Sequence, residues 1–112
     1  MALPHSLLRH ENFANLSPRA TKLFLDMAAC YFGNNNGDFS CAWTTMKARG
    51  WKSHDQVFKA QRELEVKGFI VKTRQGGRNK CNLYALTIWS IDECKRKLDV
   101  AETRVASNAW RN

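Results

Sequence analysis

The sequence predicts a small α+β domain in which three helices are followed by a β-hairpin. Three segments carry apolar residues at helical spacing, each ends at a glycine, and two strand-like runs then flank a glycine-rich hexapeptide. At 112 residues the chain has room for one domain with a single core. We divide it into an N-terminal arm (1–15), the domain (16–90) and a tail or short helix (91–112).

The first predicted helix begins after Ser17, a favourable N-cap residue, because Pro18 then occupies the first helical position, where its missing N–H is not needed. One apolar face follows at helical spacing, made of Ala20, Leu23, Phe24, Met27, Ala28 and Tyr31. The turn-forming run 33–37 ends this helix. Residues 38–40 are long enough only for a short piece of strand.

Two further helices are predicted close together. Ser40 is the expected cap of the second helix, which Gly50 ends. Ser53 is the expected cap of the third, because Gln56 stands three residues later as in a capping box, and Gly68 ends that helix. The inner residues are Ala42, Trp43 and Met46 in the second helix and Val57, Ala60 and Leu64 in the third. Two helices joined by a short glycine-containing turn form a helix-turn-helix.

A β-hairpin is predicted after the third helix. Residues 69–74 and 81–88 are rich in β-branched and aromatic residues, as strands are. The hexapeptide between them, Gln75–Lys80, contains a Gly-Gly pair and two positive charges, so we interpret it as the hairpin tip. The pattern weakens after Ile88, and Ser90–Glu93 could begin one more turn of helix.

Charge is concentrated in one part of the chain. The formal net charge is +8, and residues 47–80 hold ten basic side chains against three acidic ones, which accounts for seven of the eight excess charges. Such a concentration favours a polyanionic partner, either a nucleic acid or an acidic membrane surface. The membrane is the weaker alternative, because the modest apolar face of the third helix is needed for the core and no apolar run could span a bilayer.

Several other kinds of site are not expected. The four cysteines, Cys30, Cys41, Cys81 and Cys94, form no CxxC pair, so we predict free thiols, mostly buried, and no metal or cofactor. No catalytic triad, P-loop or dinucleotide motif is present, so neither an enzyme nor a small-molecule substrate is expected. The N-terminus lacks a signal-peptide pattern, which favours the cytoplasm. All four tryptophans are predicted to pack in the core or against the tail.

The chain resembles winged helix-turn-helix DNA-binding proteins of bacterial prophages and mobile elements. The resemblance is carried by the helix-turn-helix Trp43–Gly68, the phrase Leu64–Ile70 (LEVKGFI) and the hairpin Arg74–Lys80. The chain is also similar to the DNA-binding domain of phage and plasmid replication proteins. The resemblance implies a recognition helix over 53–62 and a wing over 74–80. Gln61 departs from the pattern, because such helices often have an apolar residue there.

This resemblance and the charge pattern together predict a duplex DNA interface. Gln56 and Arg62 are the candidates for reading base edges in the major groove. His54 is equally well explained as a DNA contact or as a solvated helix residue, whereas Asp55 and Glu63 oppose phosphate binding. The remaining candidates are expected at phosphates or at an adjacent minor groove. The full predicted set is Lys52, Ser53, His54, Gln56, Lys59, Arg62, Arg74, Gly76, Gly77, Arg78 and Lys80.

Three functional hypotheses follow. The leading one is sequence-specific binding of double-stranded DNA, as a transcriptional regulator or as a replication or excision accessory factor of a phage or mobile element. The alternative from a different class is a winged-helix module that binds an acidic protein. Binding of RNA or of single strands is the third, and the helix-turn-helix disfavours it. A homodimer, or a complex with another replication or regulatory protein, is compatible with the first.

Overall fold

The protein has a mixed α+β fold, which confirms the predicted class. A computed structural model describes residues 3–77 and 80–111. The helices in this part of the chain are α1 (His5–Arg9), α2 (Glu11–Ala14), α3 (Pro18–Ala28), α4 (Trp43–Ala48) and α5 (His54–Val66). The strands are β1 (Ile70–Arg74) and β2 (Leu83–Leu86), and single 3-10 turns lie at Cys94–Arg96 and Ala109–Arg111.

The predicted N-cap residue is confirmed for two of the three predicted helices. The Ser17 hydroxyl accepts a hydrogen bond from the amide of Ala20 and caps α3, and Ser53 caps α5 in the same way. The prediction for α4 is wrong by two residues. Its N-cap is Ala42, because the Ser40 hydroxyl accepts from the amide of Ala42 and so forms a turn before the helix begins.

The sheet is an antiparallel hairpin of β1 and β2, and Phe39 pairs with the outer side of β2. Ile70 pairs with Leu86, and an irregularity interrupts the ladder between Lys72 and Arg74. The predicted short strand near 39 is a single bridge, in which Phe39 and Tyr84 exchange two backbone hydrogen bonds of 3.2 and 2.9 Å. Both strands are shorter than predicted at one or both ends.

Beyond the ends of β2, side chains make hydrogen bonds to the backbone of the facing segment. The Asn82 side chain accepts from the amide of Gly76, and the Thr87 hydroxyl donates to the carbonyl of Gly68. Both residues therefore lie outside β2, although the predicted strand 81–88 included them.

The core lies between α3, α5 and the hairpin. Its aromatic centre includes Phe24 and Phe69, which are fully buried and pack edge-to-face with centroids 6.0 Å apart. The prediction for the tryptophans is confirmed: Trp51 and Trp110 are buried, while Trp43 and Trp89 are partly buried against the core.

The N-terminal segment predicted as an arm contains packed helices. Leu7 of α1 is fully buried, and the Asn12 side chain donates to the carbonyl of Trp110 at 2.7 Å. Helices of five and four residues are too short to show an apolar period, so the sequence pattern did not reveal them.

The C-terminal segment is also tied to the domain. The amide of Asp99 donates to the carbonyl of Thr73 at 2.8 Å, and the amide of Asn108 donates to that of Thr87 at 2.9 Å. These bonds run along β1 and the end of β2, and they bring Trp110 back to the core.

The thiols are free, as predicted, but the expectation that most are buried is wrong. Cys30 and Cys81 are exposed, Cys41 is intermediate and Cys94 is buried. Cys30 follows the end of α3 and Cys81 precedes β2, where neither side chain is needed in the core. Within residues 3–77 and 80–111, no helix has both the length and the apolar character to cross a membrane.

Candidate nucleic-acid interface

Helix α5 has a buried face, an exposed face opposite it and two edges between them. Val57, Ala60 and Leu64 are buried against the core. The opposite, outward face carries two cations, one carboxylate and two apolar side chains: Asp55, Phe58, Lys59, Arg62 and Val66, all exposed. Two edges separate these faces, one turned toward α3 and the other toward Trp43 and Tyr84.

A buried carboxylate fixes the turn that leads into α5. Asp26 of α3 is 4% exposed and accepts hydrogen bonds from Arg49, at the end of α4, and from the indole of Trp51, in the turn, at 2.8 Å. Lys22 completes the set at 3.0 Å. Burial alone would raise the pKa of Asp26, but the hydrogen bonds from Lys22, Trp51 and Arg49 outweigh it and lower the pKa. The end of α4 and the turn before α5 are thus tied to a charge in α3.

Glu63 is occupied inside the fold. Its carboxylate accepts from the amide of Ser17 at 2.8 Å and from the Ser17 hydroxyl at 2.7 Å, and it pairs with Lys67 at 3.6 Å. Burial would raise the pKa of Glu63, but these contacts lower it overall. Glu63 therefore faces the start of α3 and not the outward face of α5. Its charge repels a phosphate on that outward face less than we expected from the sequence.

The predicted base-reading and phosphate-binding residues of α5 differ in their contacts. Gln56 lies at the edge toward α3, where its carbonyl oxygen accepts from Arg19 at 2.9 Å. Lys59 pairs with Asp55 one turn earlier at 2.9 Å, which offsets its charge. Arg62 is on the outward face and is exposed. His54 stacks on Trp43 with ring centroids 4.2 Å apart.

Of the two glycines at the hairpin tip, only Gly76 is needed for close packing of the backbone. A Cβ on Gly76 would come within 2.7 Å of the backbone of Lys80 and Cys81, whereas a Cβ on Gly77 would meet nothing. Gly77 pairs with Lys80 through two backbone hydrogen bonds. The guanidinium of Arg74 donates to the carbonyl of Cys81 at 2.9 Å, across the hairpin. Arg78, also predicted at this interface, lies outside the described residues.

Four exposed cations of the basic segment 47–80 remain without an ion pair within the described part of the chain. They are Lys47, Lys52, Arg62 and Lys80. Lys47 was not among the predicted contact residues, and its only signal in the sequence was its membership of the basic segment. These four lie on α4, on the turn before α5, on the outward face of α5 and at the hairpin tip. Within the described residues, none of these four cations has a carboxylate within ion-pair distance.

Comparison with known proteins adds no relative: family models, curated proteins and solved structures each gave no significant match. Among the described residues no group of three or more His, Cys, Asp or Glu side chains is placed to hold a metal ion.

Proposed function

We propose that the chain binds double-stranded DNA as a winged helix-turn-helix, with α5 in the major groove and the hairpin as the wing. The observation that carries this proposal is the set of unpaired, exposed cations Lys47, Lys52, Arg62 and Lys80 on the helix-turn-helix and the hairpin. A duplex offers a phosphate array along which cations at both places can act together.

The order of elements supports the wing assignment. Helix α3 is followed by the Phe39 bridge, then by α4, α5, β1 and β2. This order is the one expected of a winged helix, in which a short strand between the first two helices joins the hairpin. The hydrogen bonds that Arg49 and Trp51 donate to Asp26 would hold the turn between α4 and α5, and so the angle between these two helices.

In this arrangement Arg62 is the strongest candidate for reading a base. It is exposed on the outward face, and an arginine can donate two hydrogen bonds to guanine in the major groove. Lys52 and Lys80 would bind phosphates on either side of α5. Gln56 can read adenine only after it leaves Arg19, so its part in base readout carries a cost that Arg62 does not have.

The biological role we propose is that of a cytoplasmic regulator or replication accessory factor of a phage or mobile element. It rests on the resemblance described above. A homodimer on a two-fold site, or a complex with another replication or regulatory protein, would fit the same mode of binding.

Fluorescence anisotropy with random-sequence duplex DNA across a salt series tests the proposal. If the four unpaired cations meet phosphates, log K should fall against log salt with a slope of about −3 to −4. Lys52→Ala/Lys80→Ala should make the slope shallower by about 2, since each phosphate contact contributes roughly 0.9. The matched control is Arg9→Ala/Arg104→Ala, which removes two exposed cations outside the basic segment and should leave the slope unchanged.

Binding that is absent even at low salt, from a protein that circular dichroism shows to be folded, would overturn the DNA proposal. Equal effects of the two double variants would instead indicate attraction by net charge alone, without a defined interface.

A protein partner is the second candidate, and one observation favours it. Phe58 and Val66 on the outward face of α5 are 57% and 78% exposed, and such apolar side chains suit the centre of a protein interface. An acidic protein would meet the cations around them. This alternative predicts that Val66→Asp abolishes partner binding, whereas on DNA it should act mainly as one added negative charge.

A further inference from the structure

Two adjoining cavities lie along one edge of α5. The first, of about 300 Å³, is lined by Cys41, Trp43, His54, Val57, Phe58 and Gln61. The second, of about 180 Å³, shares Cys41 and Gln61 with the first and continues to the base of the hairpin at Cys81 and Asn82. We call the two together the aromatic groove. It runs from the beginning of α5 toward the hairpin.

Aromatic rings line the groove at the end nearer the beginning of α5. His54 stacks on Trp43 with an interplanar angle of 30°, and Phe58 stands one turn further along α5 with 57% of its surface exposed. A single exposed phenylalanine is ordinary on a protein surface. This one lines a cavity together with the stacked rings of His54 and Trp43, so a planar molecule could contact ring faces there.

The two lining residues that the cavities share, Cys41 and Gln61, are polar but uncharged, and the Glu65 carboxylate lies near enough to add to the rise in the pKa of Cys41. Burial raises the pKa of the Cys41 thiol to about 12, so the thiol is neutral at physiological pH. The side-chain amide of Gln61 donates to the Tyr84 hydroxyl at 2.5 Å, which holds it in place beside the cavity. An amide offers both donor and acceptor groups, as the edges of nucleobases do.

Lysines stand close in the chain to lining residues of both cavities: Lys52 precedes His54 by two residues, and Lys80 directly precedes Cys81. Lys52 is exposed two residues before α5 begins. Arg74 donates to the carbonyl of Cys81, which lines the second cavity, and Lys80 is exposed. Aromatic rings beside uncharged polar lining residues, with lysines close by in the chain, match the chemistry of a nucleic-acid strand, in which a base lies between phosphates.

We propose that the aromatic groove binds one unpaired nucleobase of a DNA strand. The base stacks on Phe58 beside the His54–Trp43 pair, and the flanking phosphates meet Lys52 and the hairpin cations. This inference rests on the proposed duplex binding and deepens it, because the preferred target becomes a duplex with a bulged, mismatched or frayed base. Base pairing must be broken for a base to enter, so an already unpaired base binds at lower cost.

The test compares a duplex that carries one bulged 2-aminopurine with the same duplex fully paired. The bulged duplex should bind at least about fivefold more tightly, since base–aromatic stacking contributes that much or more per base. The fluorescence of 2-aminopurine should fall on binding as the base stacks. Phe58→Leu, which keeps an apolar side chain but removes the ring, should bring the affinity ratio close to one, and Phe58→Tyr should preserve it.

Val66→Ala is the matched control, because Val66 is an exposed apolar residue of α5 that does not line the groove. It should leave the ratio of bulged to paired affinity unchanged. Equal affinity for the two duplexes, with salt-dependent binding intact, overturns this inference and leaves the proposed function standing. A preference that survives Phe58→Leu also overturns it, because the flexibility of the bulged DNA would then explain the preference. Loss of binding to both duplexes by the wild-type protein contradicts the proposed function itself.

Discussion

Asp26→Asn should destabilise the protein by removing a charge that three side chains share. The Asp26 carboxylate accepts from Lys22 at 3.0 Å, from two nitrogens of Arg49 at 3.1 and 3.0 Å, and from the Trp51 indole at 2.8 Å. Asparagine keeps the shape but presents an NH₂ group where one carboxylate oxygen stood. At least one of the surrounding donors then loses its acceptor.

The size of the effect follows from the exposure of each partner. The Lys22 and Arg49 side chains are 44% and 49% exposed, so water screens these two pairs and each contributes at most about 1 kcal/mol. The Trp51 hydrogen bond is buried, and a hydrogen bond to a charged group contributes roughly 1.5–3 kcal/mol. We expect a loss of about 2–4 kcal/mol in the free energy of unfolding, which is a large part of the roughly 5–15 kcal/mol of a typical domain.

Urea unfolding followed by circular dichroism measures this loss, and its pH dependence tests the cause. The pKa of Asp26 is lower in the folded protein than in the unfolded chain. Its stabilisation is therefore fully present at neutral pH and is lost as the pH falls below about 4 through the folded pKa. The difference between wild type and Asp26→Asn should be full at pH 7 and shrink on acidification.

Asp55→Asn is the matched control, because Asp55 is 64% exposed and pairs with Lys59, itself 50% exposed. It should cost less than about 1 kcal/mol, including the effect of its place in the first turn of α5. The reasoning is refuted if Asp26→Asn costs no more than this control, or if its cost does not change between pH 7 and pH 3.

Two further predictions concern the C-terminal segment and the thiols. Gly68 and Gly50 both have positive φ, +84° and +94°, but only at Gly68 would a Cβ meet backbone, at 2.7 Å from the Ala109 oxygen. In urea unfolding Gly68→Ala should therefore cost at least about 1 kcal/mol more than Gly50→Ala, and equal losses would show that the C-terminal turn does not pack there. Labelling with a thiol reagent at pH 8 should show two fast and two slow cysteines; four fast ones would contradict the shielding of the slow pair. The fast pair is Cys30 and Cys81, and the slow pair is Cys41 and Cys94, whose pKa values burial raises to about 12 and about 11.

Local sequence signals predicted the central elements well. Helices α3 and α5 have side-chain caps and several turns of apolar periodicity, so two independent local signals agree. The cap of α4 was misplaced by two residues, from Ala42 to Ser40. A serine can close a turn as readily as it caps a helix, and Ser40 closes the turn just before α4.

The candidate interface was predictable in its charge but less so in its contacts. The basic segment 47–80 located the cations, since net charge needs no geometry. The pairing of Lys59 with Asp55 had a signal in their spacing of four residues, which places both on one side of a helix. The contacts of Gln56 with Arg19 and of Glu63 with Ser17 had no local signal, because the partners are 37 and 46 residues apart in the chain.

Asn36 shows why local sequence patterns could not predict how the turn after α3 packs against the hairpin. In the sequence it is one residue of a turn-forming run that ends a helix. In the structure it is fully buried, its amide donates to the carbonyls of Leu86 and Ser90 at 3.0 and 2.8 Å, and its oxygen accepts from the Leu86 amide at 2.9 Å. An asparagine side chain has the same donor and acceptor groups as a peptide bond, so Asn36 acts as a strand partner for the end of β2. The turn after α3 is therefore tied to the end of β2 by a side chain whose place in the sequence indicates only a turn, and its partners lie 50 and 54 residues away.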